Sequence, residues 1–340
     1  MENKDILKIT RKDIARLAGT SEQTVSYILN GTRRFSPEME QKVLDIVEKY
    51  NYQPDVLAKG LITKKTRSLC VAIDDITNPV IGEIIKSFNS GAMDAKYFSS
   101  IIELNKDFAS TVSSLIARRI EGLFITLAPT VANEPLLKPL IKAGIKIVLG
   151  NKTGDAELDG QVAFVRTDLY GGMCKVVSYL AEKGRKNPVY LSGLSLKDKR
   201  DLRYGGFTDS CKKYLGTEGF ALENDYPYHT NIEDGYRLAE QLFTSQREFD
   251  AVITTNDLMA YGVMECSKKY HKRVGEDFAL VGFDNLTYSQ WMSPSLTSIG
   301  FDVGAYGRAV LDSMLSYIDT GEKPDDVVVP CTLYERDSSK

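Results

Sequence analysis

The sequence predicts an α/β body of doubly wound parallel sheets preceded by a small all-α head. Three observations carry this: three short capped helical patterns near the N-terminus, a regular alternation of apolar runs with amphipathic helices from Leu69 onward, and a charge split between the two parts. The chain has 340 residues, enough for two or three domains, and 43% of them are hydrophobic, enough to fill sizeable cores. The formal charge is only −3, from 43 Lys and Arg against 46 Asp and Glu, but that total hides an asymmetry. Residues 1–67 hold 13 basic and 9 acidic side chains, net +4, which leaves net −7 on the remainder. A basic head on an acidic body points to nucleic acid touched by the head alone.

In the head, Thr10 is placed to cap a first helix, with Ile14, Ala15, Leu17 and Ala18 facing inward. Gly19 ends it, where a left-handed backbone is cheap only for glycine. Ser21 caps the next helix, Glu22 to Asn30, whose Val25, Ile28 and Leu29 face inward. Two helices joined by so short a turn form a helix-turn-helix, and Ala15 must stay small for them to approach. Ser36-Pro37-Glu38 opens a third helix through Val43, Ile46 and Val47 to Tyr50.

The outward face of the second helix carries Glu22, Gln23, Thr24, Ser26 and Tyr27. Ser21 stands at its N-terminus, where base contacts are made in this motif. Gln23 suits adenine, Glu22 a cytosine amino group, and Tyr27 a thymine methyl or a phosphate. Thr10, Thr24, Ser26 and Asn30, with Arg33 and Arg34, suit phosphate. The alternative, a three-helix cap with no DNA role, leaves this polar face without a purpose. Beyond it, residues 51–61 are helix-like but too short to be stable alone, and Gly60 costs about a further 1 kcal/mol. A basic linker follows to Arg67, so residues 53–67 read as a hinge that DNA would order.

The body alternates apolar runs at 69–73, 100–104, 122–127, 146–149, 189–192, 251–254 and 279–282 with helical patterns at 80–95, 170–183, 202–214, 233–244 and 258–270. Parallel sheets of this kind bind ligands beyond the carboxyl ends of their strands. The polar residues there are Asp74-Asp75-Ile76-Thr77-Asn78-Pro79, Asn151, Asp168, the 195–203 stretch, Asn256-Asp257 and Asp284-Asn285. Asp168 and Asp257 read as helix caps, and Thr77-Asn78-Pro79 mainly as a helix start. Arg203, with five donors in a fixed fork, and Asp284, with paired acceptors, suit a ligand rich in hydroxyls or carrying an anion. Trp291 fits either the cleft or a lobe edge.

Several classes are disfavoured. The five cysteines (Cys70, Cys174, Cys211, Cys266, Cys331) are far apart, which argues against a zinc ribbon or dithiol site and for free thiols in a reducing cytosol. Two histidines, His229 and His271, are too few for a zinc hydrolase or a histidine triad. No GxGxxG follows the first strand, and GxxxxGK[ST] and GxSxG are absent, so neither an enzyme nor a cofactor or metal is expected. No signal-like or membrane-length apolar run occurs, which implies a cytoplasmic protein without a membrane partner.

Ile9-Thr10-Arg11-Lys12-Asp13-Ile14-Ala15, Ala18-Gly19-Thr20-Ser21, Thr24-Val25-Ser26, Leu29-Asn30-Gly31 and Val56-Leu57-Ala58-Lys59-Gly60-Leu61 resemble the LacI family of bacterial regulators. So do Asn78-Pro79, Arg203-Tyr204-Gly205-Gly206-Phe207, residues 256–262 and Val281-Gly282-Phe283-Asp284. The resemblance covers nearly the whole chain. It implies a body of two lobes, like a periplasmic sugar-binding protein, with an effector between them. It also implies a hinge that enters the minor groove, with Leu61 as the wedge and Ala58 and Lys59 beside it.

Carried across, the effector residues are Asn78, Asn151, Arg203, Asn256 and Asp284. Lys197, with Lys199, departs from the family's small polar loop and adds a candidate contact for an anionic or phosphorylated ligand. Asn78-Pro79 is followed by Val80-Ile81 rather than aromatics, and an aromatic near Thr230 is missing, so the pocket is expected to be poor in aromatics.

The expected boundaries are 1–52 for the head, 53–67 for the hinge and 68–335 for the effector-binding and dimerisation body. Within the body the first lobe takes about 68–165 and 297–325, the second about 166–296 and 326–335. One helix-turn-helix reads only a half-site, so the reading is a homodimeric repressor on a pseudo-palindromic operator, sensing a sugar or sugar phosphate. The alternatives are a purine-type effector, a transport-type sugar-binding protein or a doubly wound enzyme. Residues 332–340 show no heptads for a coiled-coil tetramer, which leaves a dimer and room for a protein co-regulator.

Overall fold

In the computed structural model, which describes residues 9–52, 65–104, 108–126, 134–197, 201–224 and 230–340, the chain divides into two units, Met1–Thr66 and Arg67–Lys340. The first unit holds α1 (Arg11–Ala18), α2 (Glu22–Asn30) and α3 (Pro37–Lys49). Local chemistry sets each start. Thr10 and Asp13 form a reciprocal capping box, Ser21 Oγ accepts from the Thr24 amide at 3.1 Å, and Ser36 caps α3 ahead of Pro37. Gly19, at φ 74°, stops α1.

Ile14, Ala15, Ala18, Val25 and Val43 form the buried core, with Ile28, Leu29, Ile46 and Val47 packed on it. Leu17 departs from expectation and is 43% exposed. Ile14, Ala15 and Ala18 already set the inward stripe, and Leu17 lies roughly a third of a turn from its centre. Most of the expected hinge, with Ala58, Lys59 and Leu61, lies outside the described residues.

The second unit opens with β1 (Ser68–Ile73), α4 (Pro79–Asp94), β2 (Phe98–Glu103), α5 (Phe108–Ala117), β3 (Gly122–Ile125), α6 (Leu137–Lys142), β4 (Lys146–Leu149), α7 (Ala156–Asp159) and β5 (Ala163–Thr167). It continues with α8 (Leu169–Glu182), β6 (Pro188–Ser192), α9 (Leu202–Ser210), β7 (Phe220–Glu223), α10 (Ile232–Thr244), β8 (Ala251–Thr254), α11 (Asp257–Lys269) and β9 (Ala279–Phe283). The last elements are β10 (Thr297–Phe301), α12 (Val303–Thr320), β11 (Val327–Val329) and β12 (Cys331–Tyr334).

They make two six-stranded sheets, ordered β11-β5-β4-β3-β1-β2 and β12-β10-β9-β8-β6-β7. The pairs are parallel except β10 with β12. Each sheet is covered on both faces, so its inner strands, such as β1, β3, β8 and β9, are buried in continuous apolar runs. Along β1, Leu69, Val71 and Ile73 join Phe88 of α4 and Met314 of α12, while Cys70 and Ala72 join Leu115 of α5 and Leu140 of α6. In the second sheet, Ile253 and Val281 pack with Val176 of α8 and Phe207 of α9; Leu191 and Val252 pack with Leu238 of α10 and Val263 of α11.

The lobe boundaries differ from expectation at the C-terminal end. β10 belongs to the second sheet, not the first lobe, and β11 joins the first sheet beside β5 rather than the second lobe. The chain therefore crosses between lobes three times, at Asp168, Asp302 and Pro330. Two crossings double as helix caps: Asp168 Oδ1 accepts from the Gly171 amide and Asp302 Oδ1 from the Ala305 amide. No helix among the described residues is long and apolar enough to cross a membrane.

Candidate functional site

Two surfaces can do chemistry, one in each unit. In the head, Glu22 and Gln23 are exposed at the start of α2, with Thr24, Ser26 and Tyr27 half-buried behind them. Gln23 Nε2 donates to the Tyr27 hydroxyl at 2.9 Å, and the Tyr27 ring stacks on Phe35 with centroids 6.4 Å apart. Arg33 lies over the other ring of this pair, 5.7 Å from the Phe35 centroid. Asn30 Nδ2 donates to the Ser26 carbonyl at 2.6 Å. The face is thus a polar strip held by its own hydrogen bonds, with Thr10 and Ser21 committed to capping.

In the second unit, a cavity of about 200 Å³ lies at the carboxyl ends of strands from both sheets. The first lobe contributes Asp74 after β1, Thr126 after β3, Gly150 and Asn151 after β4, and Thr167 at the end of β5. The second contributes Leu194 after β6, Thr255 and Asn256 after β8, and Asp284 after β9. Gly150 is required by close approach, since a Cβ there would sit 2.1 Å from the Thr126 carbonyl oxygen. Ile81 and Ile84 of α4, with Leu169, Phe301 and Tyr306, form apolar wall. Phe301 and Tyr306 meet edge to face at 5.4 Å, and the Tyr306 hydroxyl is held by the Val165 carbonyl at 2.9 Å.

Arg203 is fixed from two sides. Its Nε donates to Asp201 Oδ1 at 2.8 Å and its Nη1 to the Thr255 carbonyl at 2.6 Å. Burial disfavours the guanidinium charge, but Asp201, then Tyr190 and Asp284, outweigh it and raise the Arg203 pKa. Asp284 sits at φ 102°, a region that non-glycine residues avoid and that recurs at functional sites. Burial, then the nearby Asp257 carboxylate, hold its carboxyl well above the usual carboxylate range against the pull of Arg203.

Of the residues expected to contact a ligand, Asn78, Asn151, Arg203, Asn256 and Asp284 line this cavity. Lys197 does not; it is exposed and outside the lining, and Lys199 lies outside the described residues. Lys197 therefore does not supply the expected cationic character of the pocket. The aromatic shortage is also corrected, because Phe301 and Tyr306 supply rings that the Val80-Ile81 segment lacks.

Asp257 is not a cap. Asn256 takes that role, accepting from the Met259 amide at 2.9 Å, while Asp257 is fully buried and accepts from Ser298 Oγ, Ser289 Oγ and the Leu286 amide. Trp291 stands 79% exposed on the short helical turn Thr287–Trp291, away from the cavity. Sequence reasoning did not single out Asp201 within the 195–203 stretch and missed Thr126, Thr167, Thr255, Phe301 and Tyr306 as lining residues; most follow or end strands, two of which (β5 and β10) had not been recognised.

Residues 10–55 match the family of bacterial regulatory proteins of the lacI type, and residues 177–339 match a periplasmic binding protein-like domain. The catabolite control protein A of Staphylococcus xylosus is 27% identical over 344 residues, spanning 98% of this chain and 100% of the relative. The fold is similar to that of the Lac repressor dimer bound to operator and the anti-inducer ONPF (TM-score 0.84, 22% identity, 97% of this chain and 99% of the other). It is similar too to the transcriptional regulator CelR in complex with cellobiose (TM-score 0.72, 21% identity, 97% and 100%). With a helix-turn-helix head, a two-lobed sensor body and relatives that are regulators rather than enzymes, the chain belongs to the LacI family of DNA-binding transcriptional regulators.

Proposed function

We propose that the chain is a cytoplasmic, ligand-responsive repressor that binds a pseudo-palindromic operator as a homodimer and changes its DNA affinity when a small polyhydroxylated metabolite fills the cavity. The carrying observation is one chain that joins a helix-turn-helix with a polar outward face to a cavity built from the strand ends of two lobes. A dimer follows from the short reach of one recognition helix, which reads only half a site. The neighbour solved as a dimer on operator and the one holding cellobiose support the dimer, the operator and a sugar-type ligand.

On this reading, Glu22, Gln23 and Tyr27 contact bases, and Thr10, Ser21, Thr24, Ser26, Asn30 and Arg33 contact the DNA backbone or the start of the recognition helix. Ala58, Lys59 and Leu61 enter the minor groove, on the sequence alone. Asn78, Asn151, Arg203, Asn256 and Asp284 hold the ligand. A ligand alters DNA binding only if it favours one lobe arrangement over another, and a cavity shared by both lobes offers that difference.

The test is selection of DNA from a random pool by the full chain, followed by a mobility shift with and without candidate ligands. The expected result is an inverted repeat bound by two chains, with affinity altered by a compound that also raises the melting temperature. An asymmetric site bound by one chain, or no selected DNA, would sink the reading.

A further inference from the structure

We propose that Arg336, in the C-terminal segment, is a positioning residue for ligand recognition: through Asn285 it holds the turn that presents Asp284 to the cavity. The proposal rests on the reading of this cavity as the regulatory site and adds a residue outside the cavity on which that site depends.

The turn needs holding. Asp284 and Asn285 follow β9 with φ of 102° and 51°, two successive residues in the left-handed half of backbone space. Asparagine visits that region at small cost, but the Asp284 value lies outside the usual left-handed well. Such a backbone persists only where the surrounding groups over-determine it. Three amides in a row are bound. The Asp284 amide donates to the Ile299 carbonyl at 2.7 Å, that of Asn285 to Ser298 Oγ at 3.0 Å and that of Leu286 to Asp257 Oδ2 at 2.8 Å. Ser298 Oγ is fixed in turn, donating to Asp257 Oδ1 at 2.6 Å. Leu286 is buried in the apolar cluster that holds Val80 and Ile81 of α4.

The Asn285 side chain is anchored by the C-terminal segment. Its Oδ1 accepts from Arg336 Nη2 at 2.6 Å, and Arg336 Nη1 donates to the Leu296 carbonyl, also at 2.6 Å. One planar fork thus ties the turn after β9 to the residue before β10. Asn285 is pressed against β10 as well, since a Cβ at Gly300 would lie 2.4 Å from its own Cβ. The segment that carries Arg336 is itself locked onto both strands. The Arg336 amide donates to Thr297 Oγ1 at 2.8 Å, and Ser338 Oγ accepts from the Thr297 amide at 2.8 Å and donates to the Leu280 carbonyl at 2.6 Å. Arg336 is outside the cavity lining, yet its contact ends one residue from Asp284, which is in it.

Two variants test this without changing the formal charge. Asn285→Gly accepts the φ of 51° freely but removes the acceptor. Arg336→Lys keeps the cation but removes the fork. Carbon-13 NMR of the aspartate carboxyls follows the Asp284 titration in the full chain, its signal identified by loss in Asp284→Asn. In both variants the midpoint is expected to fall by about one pH unit or more, because a loosened turn lets water reach the carboxyl. The double variant should fall no further than the larger single drop, since both changes break one contact. Calorimetry with D-ribose, D-glucose and cellobiose adds the ligand side. A probe that binds the unaltered chain is expected to bind each variant roughly tenfold more weakly, the loss of one well-placed polar contact.

An Asp284 midpoint that stays or rises in either variant, drops that add in the double variant, or unchanged affinity for a bound probe overturns the proposal. If a probe binds and the titration does not move, the sensing reading stands and the role of Arg336 falls. If the titration falls as expected and none of the three probes binds, the tether stands and the result counts against a sugar-type ligand. If the chain selects no DNA, the regulator reading falls whatever the titration shows.

Discussion

Arg203 and Asp201 are joined side chain to side chain, Nε to Oδ1 at 2.8 Å, two residues apart at the start of α9. Asp201 also caps that helix, accepting from the Arg203 amide at 3.2 Å. The residue whose chemistry best suits ligand recognition is therefore held in one orientation, with its charge balanced before any ligand arrives. Rigid placement of this kind lowers the ordering cost of binding.

Removing one member of that pair is costly. Asp201→Ala leaves the Arg203 charge buried without its carboxylate and should lower stability by about 3 kcal/mol in urea denaturation. A loss below about 0.5 kcal/mol would mean that the guanidinium finds water or another partner.

Asp284→Asn should abolish the change in operator affinity that a cavity ligand produces, with operator binding itself retained. Asparagine tolerates the φ of 102° better than alanine does, so Asp284→Ala should melt lower than Asp284→Asn. Loss of operator binding in the asparagine variant would assign the residue a structural role.

Asp257 has a pH signature with a definite sign. Burial pushes its carboxyl up to about 6, against the hydrogen bonds of Ser289, Ser298 and the Leu286 amide. The folded state then holds a proton that the unfolded chain, titrating near 3.9, has already released. This group's stabilisation is complete below about pH 4, falls as pH rises to about 6, and is flat above, with a span of up to about 3 kcal/mol. Asp257→Asn should remove that slope. Parallel profiles for both chains between pH 4 and 7 would rule the assignment out.

Ala15 is buried where α1 meets the rest of the head core. Ala15→Leu should destabilise the head by about 1–3 kcal/mol through overpacking and weaken operator binding. Ligand-induced stabilisation of the second unit should be unaffected, a contrast that calorimetry reads directly.

Leu61→Ala, at the hinge position assigned by resemblance, should weaken operator binding and reduce DNA bending while leaving non-specific binding nearly intact. Unchanged bending would remove the wedge role.

The head was legible because its signals are local. A capping residue, a glycine at positive φ and a three-residue apolar stripe act within one or two turns, and α1 to α3 start where Thr10, Ser21 and Ser36 place them. The cavity was legible where a strand end or a helix start carries a distinctive polar residue, as at Asn151, Asn256 and Asp284 after strands and Asn78 at the cap of α4. What escaped is non-local. β11 and β12 are three and four residues long, and nothing around Pro330 announces that one pairs with β5 and the other with β10. Asp257 resembles a cap in sequence because Asn256, one residue earlier, does the capping; its burial depends on Ser289 and Ser298, far along the chain. Lys197 was misjudged because a basic loop residue reads alike whether it faces a cleft or water.

The three crossings have a consequence for how the protein is made. The first sheet lacks its edge strand β11, and its core lacks Val310 and Met314 of α12, until nearly all of the chain has left the ribosome. The second lobe's β6 to β9 and their helices emerge earlier as one continuous stretch. Domains that fold as units during synthesis do so when their own elements are complete. The lobe that starts first is therefore the one that must wait, with the apolar face of β1 and β3 covered by α4 alone, for a helix translated after the other lobe's sheet is almost assembled.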